Sequence, residues 1–304
     1  MNGVIIIDKP AGLTSHDVVN RVRRLLRQRS VGHLGTLDPM ATGVLPLVIG
    51  GWTRLAQFYT NAEKSYEGTI RFGFATDTYD SDGEPTTPAL QVTLELPQVR
   101  EVAARFRGVI QQMPPPFSAK KIQGVPAYQL ARKNKDVPLT PVQVEIKEFE
   151  ILDLEADRAR FRARVASGTY MRSVAHDMGQ HLGCGAHLCE LRRTMVAEFD
   201  IGEAHTLEHL EVAANNGCAE DLFVHPRKLL PQLPSVTADE ATAAQVRHGR
   251  SVNLPDLSRS KQVKVFSGQK DLIAIATRIA GSLFHPKIVF ASEPAGQTVS
   301  HGNR

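Results

Sequence analysis

Apolar positions along this chain follow two different periods. Residues 4–7 form a short unbroken apolar run, and the turn residues Asp8-Lys9-Pro10-Ala11-Gly12 follow it. That pattern predicts a buried strand closed by a turn. Val18, Val19, Val22, Leu25 and Leu26 then recur at helical spacing, and Thr14 stands three residues before Asp17 in a capping-box pattern. Together they predict a helix over 14–28. Residues 44–50 and 66–75 read as strands. Residues 95–108 read as a helix with Val99, Val102, Ala103 and Phe106 inward. Strands are expected at 142–154 and 159–166. In the second of these, Phe161, Ala163 and Val165 alternate with Arg158, Arg160, Arg162 and Arg164. Residues 171–182 and 206–215 return to the helical period, with Val174, Ala175 and Met178 facing in on the first.

Pro226, Pro231 and Pro234 interrupt this pattern and place a domain boundary near Gln232. Beyond it come a helix at 238–248 and strands at 262–267, 272–279 and 287–289, a small β-rich unit. The expected division is 1–231, 232–293 and a polar, flexible tail at 294–304. No internal repeat is visible.

Composition narrows the class. The 304 residues are 42% hydrophobic, enough for a sizeable core and too much for general disorder. A net charge of +4 permits an anionic partner without naming one. The 3 cysteines do not suit a disulfide framework and fit a reducing compartment. The first residues lack a basic segment before their short apolar run, and no stretch approaches the length needed to span a bilayer. The expectation is a soluble, cytoplasmic protein. Arg21, Arg23, Arg24 and Arg27 share one helix surface, which is either a solvated face or an RNA contact. The arginines of 159–166 could bind phosphate, or pair with Glu145, Glu148 and Glu150 of the preceding strand.

The candidate chemistry centres on Gly32-His33-Leu34-Gly35-Thr36-Leu37-Asp38-Pro39-Met40-Ala41-Thr42-Gly43. Taken locally, Asp38 is a helix N-cap with Pro39 at the first helical position. A second distinctive stretch is 112–133, rich in proline, glycine and lysine. It is a surface connection or an insertion able to grip nucleic acid, with Lys120 and Lys121 for phosphates and Phe117 and Tyr128 for packing. The Asp38 string closely resembles the signature of the TruB family, enzymes that make pseudouridine in the T loop of tRNA. Five further blocks carry the same resemblance, in order, over about the first 230 residues. They are Asp8-Lys9-Pro10-Ala11-Gly12 with Ser15; Lys64-Ser65-Tyr66 with Arg71-Phe72-Gly73 and Thr76-Asp77-Thr78 to Asp80; Met113-Pro114-Pro115 through Ser118-Ala119-Lys120-Lys121 and Gly124; Gly168-Thr169-Tyr170-Met171-Arg172-Ser173; and Ala186-His187-Leu188 with Leu191-Arg192-Arg193-Thr194.

The resemblance implies an α+β fold: a central, mixed, mostly antiparallel sheet with flanking helices and Asp38 in a loop at the centre of an RNA cleft. It implies isomerisation of uridine 55 without cofactor or metal, by flipping the base and engaging a catalytic Asp38. It further implies that Arg172 pairs with Asp38, and that Tyr66 stacks on the base and helps remove its C5 proton. Tyr170 and Leu191 would line the pocket, Lys9 and Pro10 would support its floor, and His33 would fill the space the base leaves. From the residues alone, Tyr66 reads as a core aromatic, Arg172 as a surface arginine and His33 as a turn histidine bonded to local backbone. The 112–133 insertion corresponds to the family's thumb loop. The 232–293 unit more loosely resembles its PUA-like RNA-binding module, which would hold the acceptor end.

Two other signals point elsewhere and are set aside. His181, Cys184, His187 and Cys189 crowd four metal-ligand types together, but their spacing matches no standard zinc site. The run Asp77 to Gly83 hints at a calcium loop, yet Ala89 falls where the bidentate glutamate is needed. Leu34, Phe117 and Ala197 depart from the family pattern, and Ala197 puts a turn geometry in question. Two rival readings remain. One is the guide-RNA-dependent relative. The other is a tRNA-folding helper without chemistry. The insertion and the absence of long basic tails favour a monomeric enzyme that needs neither guide RNA nor protein partner.

Overall fold

The computed structural model describes residues 1–117, 121–122, 125–126 and 139–290. Its main sheet runs in the order β1 (Gly3–Lys9), β3 (Thr42–Ile49), β10 (Ala186–Val196), β4 (Lys64–Phe72), β9 (Arg158–Val165), β8 (Val142–Glu155), β5 (Gly108–Gln112). β2 (Val31–His33) joins β3, and β11 (Phe199–Asp200) joins β10. Every pair is antiparallel except β3 with β10, so the sheet is mixed and mostly antiparallel, as the resemblance implies.

Why residues 4–7 of β1 are apolar without alternation is clear from its two faces. Ile5 and Ile7 enter one core with the helices Ser15–Leu25, Leu96–Ala104, Met171–His181 and Leu207–Asn215. Val4 and Ile6 enter another, on the opposite face, with Trp52, Leu55 and Tyr59. A strand covered on both sides loses the polar half of its alternation. β9 is covered on one side only: Phe161, Ala163 and Val165 are buried, and its arginines face out. Those arginines are ion-paired. Arg160 pairs with Asp153, Arg162 with Glu67, and Arg164 with Glu148 and Glu63. Cross-strand pairing therefore accounts for this ladder. Of the acidic residues expected to serve it, Glu148 does.

The expected helix at 14–28 begins as predicted, with Thr14 capping and the reciprocal Asp17 bond formed, but it stops at Leu25. Arg27 already has φ +48°, outside helical space. The local reading of Asp38-Pro39 as a helix start is also corrected. Ala41 N–H donates to the Asp38 carbonyl at 3.1 Å, closing a four-residue turn with Pro39 second. The chain then re-enters the sheet at Thr42.

The largest element the sequence did not reveal is β10, at the centre of the sheet. One edge of β3 is shared: Thr42 and Gly43 pair with Arg192 and Arg193 of β10, while 47–49 pair with β2. The loop 34–41, which carries Asp38, crosses that fork. Gly43 marks the junction. It has φ +100°, and a Cβ there would sit 2.2 Å from the Arg193 carbonyl oxygen.

After Pro234 the chain forms a second sheet, in the order β12 (Ser235–Ala238), β14 (Gln262–Ser267), β15 (Asp271–Ala280), β16 (Leu283–Val289), β13 (Val252–Asn253), with the helix Glu240–Arg247 against it. Phe266, Leu272, Ile275, Ile288 and Phe290 from this unit share a core with Val4, Val44, Val48 and Leu34 of the first. The break near Gln232 is a break in sequence pattern. In packing the two sheets are continuous.

Candidate active site

The loop bearing Asp38 is held from three directions. From below comes Arg193 of β10, with no exposed surface. Its guanidinium donates to Gly35, Thr36 and Val44 carbonyls at 3.0, 3.1 and 2.8 Å. From the first turn comes Lys9, also fully buried, whose ammonium donates to Pro10, Leu13 and Pro39 carbonyls at 2.9, 2.6 and 3.1 Å. From the first helix comes Ser15, whose hydroxyl accepts from Leu37 N–H at 2.8 Å and donates to the Leu37 carbonyl at 3.1 Å. The residues on either side of Asp38 are thus fixed by buried donors and acceptors, and its carboxylate direction is preset.

That carboxylate meets Arg172, at the start of the helix Met171–His181. Arg172 Nη2 donates to Asp38 Oδ1 at 3.0 Å. Its Nε lies 2.9 Å from Oδ2, but the N–H is not aimed at that oxygen, so the Nη2 bond sets the orientation. The Arg172 side chain is 5% exposed and Asp38's is 32% exposed, so the pair is covered on the arginine side and open on the carboxylate side. Further bonds run from Arg172 to the Thr78 and Phe117 carbonyls, at 3.1 and 2.9 Å, and Asp80 Oδ2 stands 3.4 Å from Nη1. One guanidinium therefore serves two carboxylates. Burial raises the Asp80 carboxyl above the usual aspartate range, and the Asp38 charge adds to this against the pull of Thr78 and Arg172.

A cavity of about 250 Å³ opens over Asp38, walled by Gly35, Thr36, Leu37, Lys64, Tyr66, Ser167, Gly168, Thr169, Tyr170, Met171, Arg172 and Leu191. It falls just below the ~300 Å³ at which sites for drug-sized ligands begin, a volume suited to one planar ring. Two cavities are larger, at about 550 and 610 Å³. The first lies between the two sheets around Trp52, Phe223 and Phe290, and the second lies on the other side of Leu191. Neither contains the Asp38–Arg172 pair, so volume alone would mislead.

Tyr66, Tyr170, Arg172 and Leu191 meet Asp38 in this wall. Tyr66 is 7% exposed, and burial lifts its hydroxyl above the ordinary phenol range, against the pull of the neighbouring Arg193. Tyr170 is positioned through its backbone by the buried Gln112 side chain, which accepts from its N–H at 2.8 Å and donates to its carbonyl at 3.0 Å. Lys9 lies beneath the loop. Pro10 is exposed beside it and contributes a carbonyl to the Lys9 ammonium. His33 is outside the wall. Its Nδ1 accepts from Gly35 N–H at 3.3 Å, the local bond that a turn histidine makes, and burial holds its pKa below the ordinary value. Phe117 reaches Arg172 through its carbonyl. Lys120 lies outside the described residues. Lys121 is described only as backbone, in β6 (Lys121–Ile122), paired with β7 (Val125–Pro126). Tyr128 is likewise outside.

Asp80, Arg193, Ser15 and Gln112 were not singled out as site residues from sequence. Asp80, Ser15 and Arg193 stand inside the quoted motif blocks, so the blocks marked the region without assigning the contacts. Nothing in the sequence marked Gln112. The candidate metal ligands have other partners: His181 Nδ1 is 2.8 Å from the Asp177 carbonyl, and His187 Nδ1 is 3.2 Å from that of Phe74.

Comparison with known proteins identifies the family. Residues 23–171 match the model of the TruB family pseudouridylate synthase N-terminal domain, and 172–232 match that of the tRNA pseudouridylate synthase B C-terminal domain. A tRNA pseudouridine synthase B from Solibacter usitatus is 53% identical over 292 residues, covering 95% of this chain and 100% of that protein. One from Geobacter sulfurreducens is 39% identical, covering 92% of this chain and 95% of its own. Among solved structures, a chain of an H/ACA RNP bound to a substrate RNA containing 2'-deoxyuridine superposes with a TM-score of 0.70 at 25% identity. It covers 95% of this chain and 85% of its own length. The chain belongs to the TruB family of pseudouridylate synthases.

Proposed function

We propose that this chain isomerises uridine 55 in the T loop of tRNA to pseudouridine, with Asp38 as its catalytic group and no cofactor. The observation that carries the reading is the Asp38–Arg172 pair, buried on the arginine side and facing a ring-sized cavity. The relatives' shared name, tRNA pseudouridine synthase B, supports tRNA as the substrate.

The reaction breaks the N1–C1′ bond, turns the base, forms C5–C1′, and moves the C5 proton off carbon while N1 gains one. No electrons leave the system. What the chemistry needs is an ionised carboxylate beside the sugar and the C6 edge, and a wall that excludes water. Arg172 holds the Asp38 carboxylate in place through the Nη2 bond to Oδ1. Leu191 and Tyr170 wall the base, and Tyr66 stacks on it. Because burial keeps the Tyr66 phenol protonated, it enters as a hydrogen-bond donor and receives no proton until it has lost its own. Lys9, with Pro10, holds the floor through Pro39. His33 takes the place of the extruded base, and flipping costs a few kcal/mol of stacking. Lys120, Lys121 and Phe117 belong to the 112–133 insertion that grips the stem. The 232–293 unit is a PUA-like module for the acceptor end. The enzyme works as a monomer without guide RNA, and it also assists tRNA folding.

The test is tritium release from a T-arm hairpin labelled at uridine C5. Wild type is expected to release tritium, and Asp38→Asn to bind the hairpin without release. Binding without release by wild type defeats the reading. Release only after a guide RNA is added moves it to the RNP class of the structural neighbour.

A further inference from the structure

The cavity wall holds two cationic side chains, Arg172 and Lys64. Arg172 is committed to Asp38 and Asp80. Lys64 has no such commitment. Among the described residues its ammonium makes one hydrogen bond, to the Ala62 carbonyl at 2.9 Å, and no carboxylate pairs with it. An ammonium has three donors, so this one keeps capacity in hand. The stem runs close over the catalytic loop: a Cβ on Gly35 would lie 3.2 Å from Lys64 Cε, and Gly35 has φ +129°. The position is half-buried at the first residue of β4, two before Tyr66.

A desolvated cation without a counter-ion is costly. Burial pulls this ammonium down to about 8, and the positive charge of Arg193 adds to the effect. Such an arrangement is stable in function when the counter-ion arrives with the substrate. A nucleotide whose base enters this cavity brings one phosphodiester on each side. Resting on the reading of this cavity as the uridine site, we propose that Lys64 binds a phosphodiester adjoining the flipped uridine and so strengthens binding of the substrate there. The contact is a point charge on phosphate, independent of base identity.

The experiment uses the full chain and T-arm hairpins carrying a neutral methylphosphonate on the 5′ or the 3′ side of the target uridine. Lys64→Met is expected to raise KM on the order of ten-fold, the scale of one charge-assisted bond, with single-turnover kcat changed less than two-fold. The slope of log Kd against log salt should flatten by about 0.7, one phosphate contact on a single strand. One of the two methylphosphonates should weaken wild type equally and weaken Lys64→Met no further. Lys64→Arg should restore most of the binding. Lys64→Gln separates the alternatives, since it keeps a donor for the Ala62 carbonyl and lacks the charge. If it behaves like Lys64→Met, the phosphate contact stands; wild-type behaviour makes Lys64 a backbone support and overturns the proposal. Additive losses at both phosphates overturn it too. Wild type that binds hairpin without releasing tritium defeats the uridine reading instead, and the binding arms still report on the phosphate.

Discussion

At the scale of the residue, the site depends on buried cations that never touch the cavity. Lys9 is the clearest. Its ammonium is the common partner of three carbonyls, one of them Pro39's, next to Asp38. In Lys9→Met those acceptors lose their donor, and an unsatisfied buried group costs ~1–3 kcal/mol. The loop should loosen, lowering urea stability by about 2–3 kcal/mol and turnover at least as severely. Burial pulls the Lys9 ammonium down to about 8, while the unfolded chain keeps its proton to the ordinary lysine value. Between those values the unfolded state binds more protons, so this residue's contribution to stability rises with pH. The cost of the buried charge is present in full below pH 8 and fades above it. Urea titrations at pH 7.5 and 9.5 should show the wild type gaining about 1–2 kcal/mol over Lys9→Met across that interval. A parallel pH response in the two proteins would show that the lysine stays charged, held by its three carbonyls. Asp80 is the second case. Asp80→Asn removes a carboxylate 3.4 Å from Arg172. The guanidinium then has Asp38 as its one ionic partner and a slacker seat. The expected result is a drop in single-turnover kcat of ten-fold or more with hairpin Kd nearly unchanged, read by rapid quench and filter binding. Equal effects on both would make Asp80 an RNA-binding residue.

At the scale of the element, the decisive structure is the fork where β2 and β10 share one edge of β3. Gly43 permits it. Gly43→Ala would drive a methyl to within 2.2 Å of backbone at a φ alanine rarely adopts. A loss above about 3 kcal/mol is expected, beyond the ordinary range for a point change, together with loss of tritium release. Ala197 is the opposite case. It turns β10 into β11 at φ +49°, where an L side chain costs ~1–2 kcal/mol. Glycine there relieves that strain but gives back ~0.5–1 kcal/mol in unfolded-state entropy. Ala197→Gly should therefore raise stability by about 0.5–1 kcal/mol and leave activity unchanged, checked by calorimetry and tritium release.

The same elements show what was legible in the sequence. Strands and helices with a clean period, such as β9 and the helix Met171–His181, were readable to within one or two residues. The departure at Ala197 was visible, and it marks a strained turn. β10 was hidden because Arg192-Arg193 breaks its apolar pattern. Arg193 is nevertheless fully buried, its donors shared among the Gly35 and Thr36 carbonyls of the loop and the Val44 carbonyl of β3, all far earlier in the chain. No local rule foresees a buried arginine whose acceptors are supplied by another segment. Apart from Ser167, the members of the candidate cavity wall stand in the motif blocks. The supporting roles of Asp80, Ser15 and Gln112 were not legible, since each acts through a contact with a distant residue.

At the scale of the whole molecule, the second sheet bears on the first. Leu34, in the Asp38 loop, is 4% exposed and shares a core with Val44, Val48, Phe266, Leu272 and Ile275. The connection between the sheets is pinned by polar groups as well. The Glu198 carboxylate accepts from the Tyr59 hydroxyl at 2.6 Å and from Leu230 N–H at 2.8 Å. Buried Lys264 donates to the Arg227 and Leu229 carbonyls at 3.1 and 2.6 Å. Two units joined this way cannot unfold independently without exposing apolar surface and orphaning buried polar atoms on both sides. Calorimetry should therefore show one transition. Phe266→Ala, at a side chain with no exposed surface, should lower stability by ~3–5 kcal/mol and move that single peak as a whole. It should also slow isomerisation of a T-arm hairpin, because Phe266 and Leu34 of the Asp38 loop belong to one core. Two resolved transitions, with Phe266→Ala shifting only one and hairpin turnover unaffected, would make the second sheet an appendage. A single shifted transition with slowed turnover makes it part of the scaffold that holds Asp38 in place.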